Sequence, residues 1–262
     1  MTITPNHAKE RLKQGKTSLG FQVRRLYGPD VVRIAKACDY DHLFIDMEHG
    51  AMDLETAAQM CVSALDAGIT PLVRVPGHEH FHAARILDNG AMGVIIPHVS
   101  TVEEAKRAVS QCKFPPVGHR SFGGPLPQLG FEALPVSEIG TISNENTLLI
   151  IMLETPEGIA NADAIAALDG VDMLHVGCND LAAEMGLHGQ FGHPDVVAAV
   201  GKAIAAAQKH GKFAGLGGVG DEELTKKYVD MGMRFLSAGA DFGFMMAGAK
   251  ARSKFLRSLG HN

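Results

Sequence analysis

Short, continuous apolar runs alternate along this chain with longer stretches whose apolar positions recur at helical spacing. The runs fall at Ser18–Val23, His42–Met47, Pro71–Val75, Gly93–His98, Thr147–Glu154, Met173–Gly177, Phe213–Gly217 and Phe235–Ala238. Among the stretches between them, Asp53-Leu-Glu-Thr-Ala-Ala-Gln-Met-Cys-Val-Ser-Ala-Leu65 has helical periodicity, and Thr101-Val-Glu-Glu104 has the spacing of a capping box opening the next helix. Regular strand–helix alternation predicts parallel strands joined by helical crossovers. About eight such units predict an α/β fold, a (β/α)8 TIM barrel, and 262 residues suit one barrel domain over 1–262. A doubly wound open sheet is the competing architecture, but no GxGxxG follows an early strand. The stretch from Asp241 to Leu259 reads as a closing helix. Its Phe244, Met245, Met246, Phe255 and Leu256 serve either the core or a subunit contact.

One connection breaks the rhythm. From Lys113 to Asn146 the chain is rich in Pro and Gly, including Phe114-Pro-Pro-Val-Gly-His-Arg-Ser-Phe-Gly-Gly-Pro-Leu-Pro127. A long loop in a compact domain is usually functional or mobile, so this one either reaches the site or a neighbouring subunit or is a solvated excursion.

Composition narrows the function classes. Hydrophobic residues at 46% support a large core, and a net charge of −5 gives no electrostatic footprint for nucleic acid. No apolar run reaches the roughly 18 residues that span a bilayer, and the first residues lack a signal-peptide pattern. The four cysteines, Cys38, Cys61, Cys112 and Cys178, include no CxxC pair, which fits reduced thiols and a cytoplasmic protein.

The chemistry gathers at strand ends. Glu154 closes the fifth run, Asp180 follows the sixth, and the second ends in Asp46, Glu48 and His49. Two carboxylates from adjacent strand ends suit a divalent cation such as Mg²⁺ or Mn²⁺, which keeps water and leaves room for substrate. Equally, each carboxylate could simply cap the helix that follows it. His49 is a natural proton carrier, and Arg74 can stabilise a developing oxyanion; alone, either reads as well as a structural polar residue. Their convergence on one barrel face favours chemistry. Cys178 has no partner spacing for a nucleophile and reads as pocket wall. His78-Glu-His-Phe-His82 resembles a metal tract, but it lies in a connection.

At these residues the chain resembles the HpcH/HpaI family of class II pyruvate aldolases. The resemblance rests on Asp46-x-Glu-His49, Val73-Arg-Val75, Leu87-Asp-Asn-Gly90, Gly93-Val-Ile-Ile-Pro97, Pro116-x-Gly-x-Arg120, Glu154-Thr and Gly177-x-x-Asp-Leu181, in family order from Gly20 to Gly239. It implies a phosphoenolpyruvate/pyruvate-type barrel that cleaves a 4-hydroxy-2-oxo acid into pyruvate, or an analogue such as hydroxypyruvate, and an aldehyde. Glu154 and Asp180 match the metal ligands, for Mg²⁺ or Mn²⁺ with Co²⁺ or Zn²⁺ as alternatives. Arg74 matches the enolate-stabilising arginine, His49 the base acting through a water, and Asp88 the acid that raises its basicity, from a neighbouring subunit if at all. The pocket assignments are Met152, where many members carry glutamine, together with Cys178, Leu216 and Asn179, whose backbone amide matches the one that binds the pyruvate carboxylate. The resemblance also implies a homo-oligomer, a hexamer built as a trimer of dimers. Arg24 and Arg25 stand where relatives carry small or polar residues, and they fit either an acidic tail on the aldehyde or an interface salt bridge. Oxaloacetate decarboxylation, an acyl-CoA lyase and a non-catalytic acid-binding barrel are the alternative readings.

Overall fold

The computed structural model describes residues 3–260; the outermost ends of the expected 1–262 domain lie outside the described residues. Eight parallel strands close into a barrel in sequence order: β1 (Ser18–Val23), β2 (His42–Asp46), β3 (Thr70–Arg74), β4 (Gly93–Ile96), β5 (Leu148–Leu153), β6 (Met173–Gly177), β7 (Phe213–Gly217) and β8 (Phe235–Ala240). Each expected strand is present, with ends displaced by at most two residues. Helix α1 (His7–Lys13) precedes the barrel, and α2 (Pro29–Ala37), α3 (Leu54–Ala67), α4 (His80–Asp88) and α5 (Val102–Cys112) follow β1 to β4. The second half adds α6 (Val136–Asn146), α7 (Pro156–Ala160), α8 (Ala162–Ala166), α9 (Cys178–Glu184), α10 (Pro194–Lys209), α11 (Glu222–Asp230) and α12 (Asp241–Arg257). No helix among the described residues is long and apolar enough to cross a membrane.

Strand alternation sorts the apolar residues into two cores. Phe44, Leu72, Ile95, Ile150, Met173 and Phe235 point into the barrel, where Leu12 of α1 closes the lower end. The intervening positions, such as Leu43, Ile45, Val73, Ile151 and Leu174, face outward to the helices. The capping box at Thr101 forms as its spacing predicts: Thr101 Oγ accepts the Glu104 N–H, and the Glu104 carboxylate accepts the Thr101 N–H. Gly68 ends α3 at φ +67°, a left-handed conformation that costs glycine least.

The Pro/Gly-rich connection does not reach the site. Its last third is helix α6, and none of residues 113–146 lines the cavity at the strand C-termini. The reason is direction. Because α5 runs back down the barrel, the segment after it emerges at the end where strands begin. There Phe114 stacks on Phe122 at 4.3 Å, and Gln128 Nε2 donates to the carbonyls of Leu87 and Ala91. At the same end Asp172 pairs with two ammonium groups, Lys9 Nζ at 2.8 Å and Lys113 Nζ at 2.7 Å.

Candidate active site

The site begins with the turn after β2. Asp46 Oδ1 accepts the N–H groups of Glu48 and His49 at 3.1 and 3.3 Å, which folds the chain over the barrel mouth. Parallel pairing sets Arg74 of β3 beside Asp46. Arg74 Nε donates to Oδ1 at 3.0 Å and Nη2 to Oδ2 at 2.6 Å, a bidentate pair. Arg24 Nε donates to the same Oδ2 at 2.7 Å. Burial alone would raise the Asp46 pKa; the hydrogen bonds and charge of Arg74, then the charge of Arg24, outweigh it and hold the carboxyl below the usual range. Burial likewise opposes charge on Arg74, but Asp46, Glu48 and Glu154 outweigh that and keep the guanidinium protonated. Its Nη1 lies 2.8 Å from Glu48 Oε2 and 3.8 Å from the Met152 sulfur.

Glu154 follows β5 and is buried. Its Oε2 accepts the His98 N–H at 2.8 Å, while the His98 ring reaches Glu48 Oε1 from Nε2 at 2.9 Å. His98 adopts φ +53°, a left-handed conformation that a non-glycine residue keeps only where its surroundings impose it. That bend aims both its backbone and its ring at the two acids. Burial pushes the Glu154 carboxyl above its ordinary pKa; the His98 contacts oppose this, and the charges of Asp180 and Glu48 add to it. Asp180, exposed in the first turn of α9, is therefore close enough to repel Glu154.

Arg24, Arg74, Glu154 and Asp180 line one cavity of about 380 Å³. Arg74, Met152, Glu154, Cys178, Asn179 and Asp180 line it, as expected, and His49 stands at its rim with 49% of its side chain exposed. Burial pushes the Cys178 thiol up to about 12, so this residue is an inert wall rather than a nucleophile. Leu216 and Asp88 do not line this cavity. Leu216 belongs to the outer core and lines a neighbouring cavity, because alternation along β7 turns Gly215 and Gly217 inward and Leu216 away. Asp88 ends α4 at the opposite end of the barrel, where its Oδ1 accepts Arg120 Nη2 at 2.6 Å.

No group of three His, Cys, Asp or Glu side chains among the described residues forms a complete metal cage. Glu154 and Asp180 supply two oxygen donors, a set that fits a hard cation completed by water and substrate. The surroundings fit as well: four carboxyl groups (Asp46, Glu48, Glu154, Asp180) stand against two guanidinium groups (Arg24, Arg74). At Gly177 an added Cβ would sit 2.6 Å from Glu154 Oε1, so a bare backbone is what lets the carboxylate lie there. Gly177→Ala should weaken Mg²⁺ or Mn²⁺ binding by roughly tenfold or more, the scale of disturbing a group that orients a ligand. Titration calorimetry checks this, and unchanged affinity would mean that Glu154 is not a ligand.

Sequence reasoning missed His98, Gln22, His175, Ser237 and Asp241. His98 offered no ligand spacing, and its role depends on a backbone bend. The others sit within or beside apolar strands, where a single polar residue at an inward-facing position was the available signal.

Comparison with known proteins shows the family. The family model for HpcH/HpaI aldolase/citrate lyase matches residues 25–247. The chain belongs to this family. It is 36% identical over 253 residues to 4-hydroxy-4-methyl-2-oxoglutarate aldolase tasA of Hapsidospora irregularis, covering 95% of this chain and 94% of the relative. It is 34% identical over 248 residues to 5-keto-4-deoxy-D-glucarate aldolase of Salmonella arizonae, covering 95% of each. The HpcH/HpaI aldolase structure from Desulfitobacterium hafniense DCB-2 superposes with a TM-score of 0.91 at 29% identity, over 97% of this chain and 98% of that one. This member of the HpcH/HpaI family is accordingly an enzyme, a carbon–carbon lyase of the aldolase class.

Proposed function

We propose that the protein is a divalent-metal-dependent aldolase that reversibly cleaves a 4-hydroxy-2-oxo acid into pyruvate, or an analogue such as hydroxypyruvate, and a second carbonyl compound. The observation that carries this reading is the meeting of Glu154 and Asp180 with a braced, permanently charged Arg74 in one cavity. Relatives named for cleaving 4-hydroxy-4-methyl-2-oxoglutarate and 5-keto-4-deoxy-D-glucarate support the substrate class.

A divalent cation held by Glu154 and Asp180, Mg²⁺ or Mn²⁺ by donor type, would supply positive charge beside the 2-oxo group. Arg74, fixed by Asp46, presents its guanidinium where the keto oxygen gains negative charge. The Asn179 N–H holds the carboxylate. His49 takes the C4 hydroxyl proton through a water, the C4 oxygen becomes a carbonyl, and the C3–C4 bond breaks. Its electron pair moves to C3 and delocalises onto the C2 oxygen as an enolate. The proton taken by His49 returns through the same water to C3, which gives pyruvate and resets the base. Met152 and Cys178 supply apolar wall beside the reacting carbons.

The remaining expectations join this reading. Exposed Phe242, Phe244, Met245, Phe255 and Leu256 on α12 support a homo-oligomer, a hexamer on the resemblance, in which a second copy could bring Asp88 to His49. Four free cysteines fit the reducing cytoplasm.

Proton NMR of pyruvate in D₂O tests the donor half without a choice of acceptor. The methyl signal should disappear with protein plus Mg²⁺ or Mn²⁺, persist with chelator, and persist with His49→Ala. Exchange that proceeds equally in chelator would rule out metal dependence.

A further inference from the structure

Eight strands in sequence order place β1 across the barrel from β5, so the wall facing Glu154 is built by β8, β1 and the turn after β1. That wall and the floor beside it carry polar groups that the donor half of the reaction does not use. His175 of β6 is fully buried, and neither ring nitrogen has a hydrogen-bond partner. The Ser237 hydroxyl of β8 is also buried without a partner. Both line the cavity that holds Glu154 and Asp180. Polar groups left this way in a core are rare and call for a ligand or water.

The glycines of β7 show which way the imidazole faces. A Cβ at Gly215 would lie 2.5 Å from His175 Nδ1, so backbone closes that side. A Cβ at Gly217 would lie 3.0 Å from His175 Nε2 and 3.6 Å from Ser237 Oγ. With no side chain at Gly217, a niche remains between the two unpartnered groups, open to the cavity.

Arg24 borders the same cavity, with 37% of its side chain exposed. Its carboxylate partner, Asp46, is already engaged in both oxygens by Arg74, so two guanidinium groups share one acid. The position of Arg24 is fixed from below. Asp241 Oδ2 accepts the backbone N–H groups of Arg24, Arg25 and Leu26 at 3.1, 2.8 and 2.7 Å. With the Gln22 amide oxygen turned to Arg24, it accepts from Nε and Nη2 at 3.1 and 2.9 Å and leaves its NH₂ as a donor. Arg25 lies outside the cavity.

We propose that Gln22, Arg24, His175 and Ser237 form an acceptor subsite that binds a carboxylate on the second carbonyl compound. The proposal rests on the aldolase reading and narrows its substrates to dicarboxylic 4-hydroxy-2-oxo acids, whose second product is itself a 2-oxo acid or an aldehyde acid. The donor set matches that ligand. A guanidinium, an amide NH₂, a hydroxyl and an imidazole N–H meet the lone pairs of two carboxylate oxygens. Burial lowers the His175 pKa to about 3, so at neutral pH the imidazole keeps a single N–H and adds no competing charge. Asp241 is a positioning residue for Arg24.

The test uses the full chain with Mg²⁺ or Mn²⁺, pyruvate as donor, and glyoxylate against acetaldehyde as acceptors. Pyruvate methyl exchange in the same samples reports the donor half separately. Wild type should prefer glyoxylate in kcat/KM. Arg24→Gln, His175→Phe and Ser237→Ala, each normalised to its own exchange rate, should lower that preference by roughly tenfold or more for the charged contact and less for the neutral ones. Ser237→Ala removes one atom and guards against a folding defect. Glyoxylate alone should also shift the ¹⁵N resonance of the His175 imidazole. Exchange without a glyoxylate preference, a preference that all three variants keep, or no imidazole shift would overturn the subsite. Loss of exchange in wild type would instead overturn the aldolase reading.

Discussion

Glu154→Gln should lower metal-dependent pyruvate exchange by roughly three orders of magnitude, the scale of losing a charge-stabilising element, while making the metal-free protein more stable. The two effects have one source. Glu154 is buried beside the charges of Asp180 and Glu48, and burial first, then those charges, hold its pKa above the ordinary value against the opposing His98 contacts. A carboxyl raised in the folded state contributes stability below its unfolded pKa. That contribution is lost as pH rises through the folded value. At neutral pH the ionised group is therefore a strain that a bound cation relieves. Glutamine keeps an oxygen for the His98 N–H and removes the charge, so a gain of about 1 kcal/mol is expected, roughly 2–4 °C in Tm for a domain of this size. Thermal melts in chelator at pH 5 and pH 8 should show the gap widening at pH 8. A variant that melts below wild type at pH 8 would show that the Glu154 charge is already compensated within the protein.

The strands, their order and the capping box at Thr101 were legible in sequence because each depends on local pattern. Glu154, Asp180, His49 and Arg74 were legible as well, since position at a strand end determines which barrel face a residue joins. What pattern could not carry was direction across the barrel. The Lys113–Asn146 segment follows a helix and so belongs to the far end, and Leu216 differs from its inward neighbours only by one step of alternation, whereas Asp88, the last residue of its helix, was expected to act only from a neighbouring subunit. His98 was invisible for another reason, because its left-handed φ, not its spacing, brings it between Glu48 and Glu154. His175 illustrates the converse. A histidine inside an apolar strand reads as a tolerated core residue until the two glycines of the next strand show the space made for it.

Asp172→Ala should be the most destabilising single change at the other end of the barrel, with little effect on the chemistry per folded molecule. Asp172 binds Lys9 of α1 and Lys113 after α5, and its Oδ2 also accepts the Leu149 N–H at 2.8 Å. The two lysine side chains are only 10% and 3% exposed, so removing their shared anion leaves two buried ammonium groups facing one another. Breaking a buried pair from one side costs about 3–5 kcal/mol, which predicts a fall in Tm on the order of 10 °C. The pH dependence gives the mechanism its own signature. Burial alone would raise the Asp172 pKa, but the charges of Lys113 and Lys9, then the Leu149 hydrogen bond, hold it low. A carboxyl depressed by folding contributes stability above its unfolded pKa and loses it as pH falls through the folded value. The gap between variant and wild type should therefore be full at pH 7 and shrink below about pH 4, the ordinary aspartate range. Because strand N-termini serve barrel stability and strand C-termini serve chemistry, exchange at a temperature where the variant is folded should stay close to wild type. A large loss of exchange without a loss of Tm would place Asp172 in communication with the site and contradict this division of the barrel.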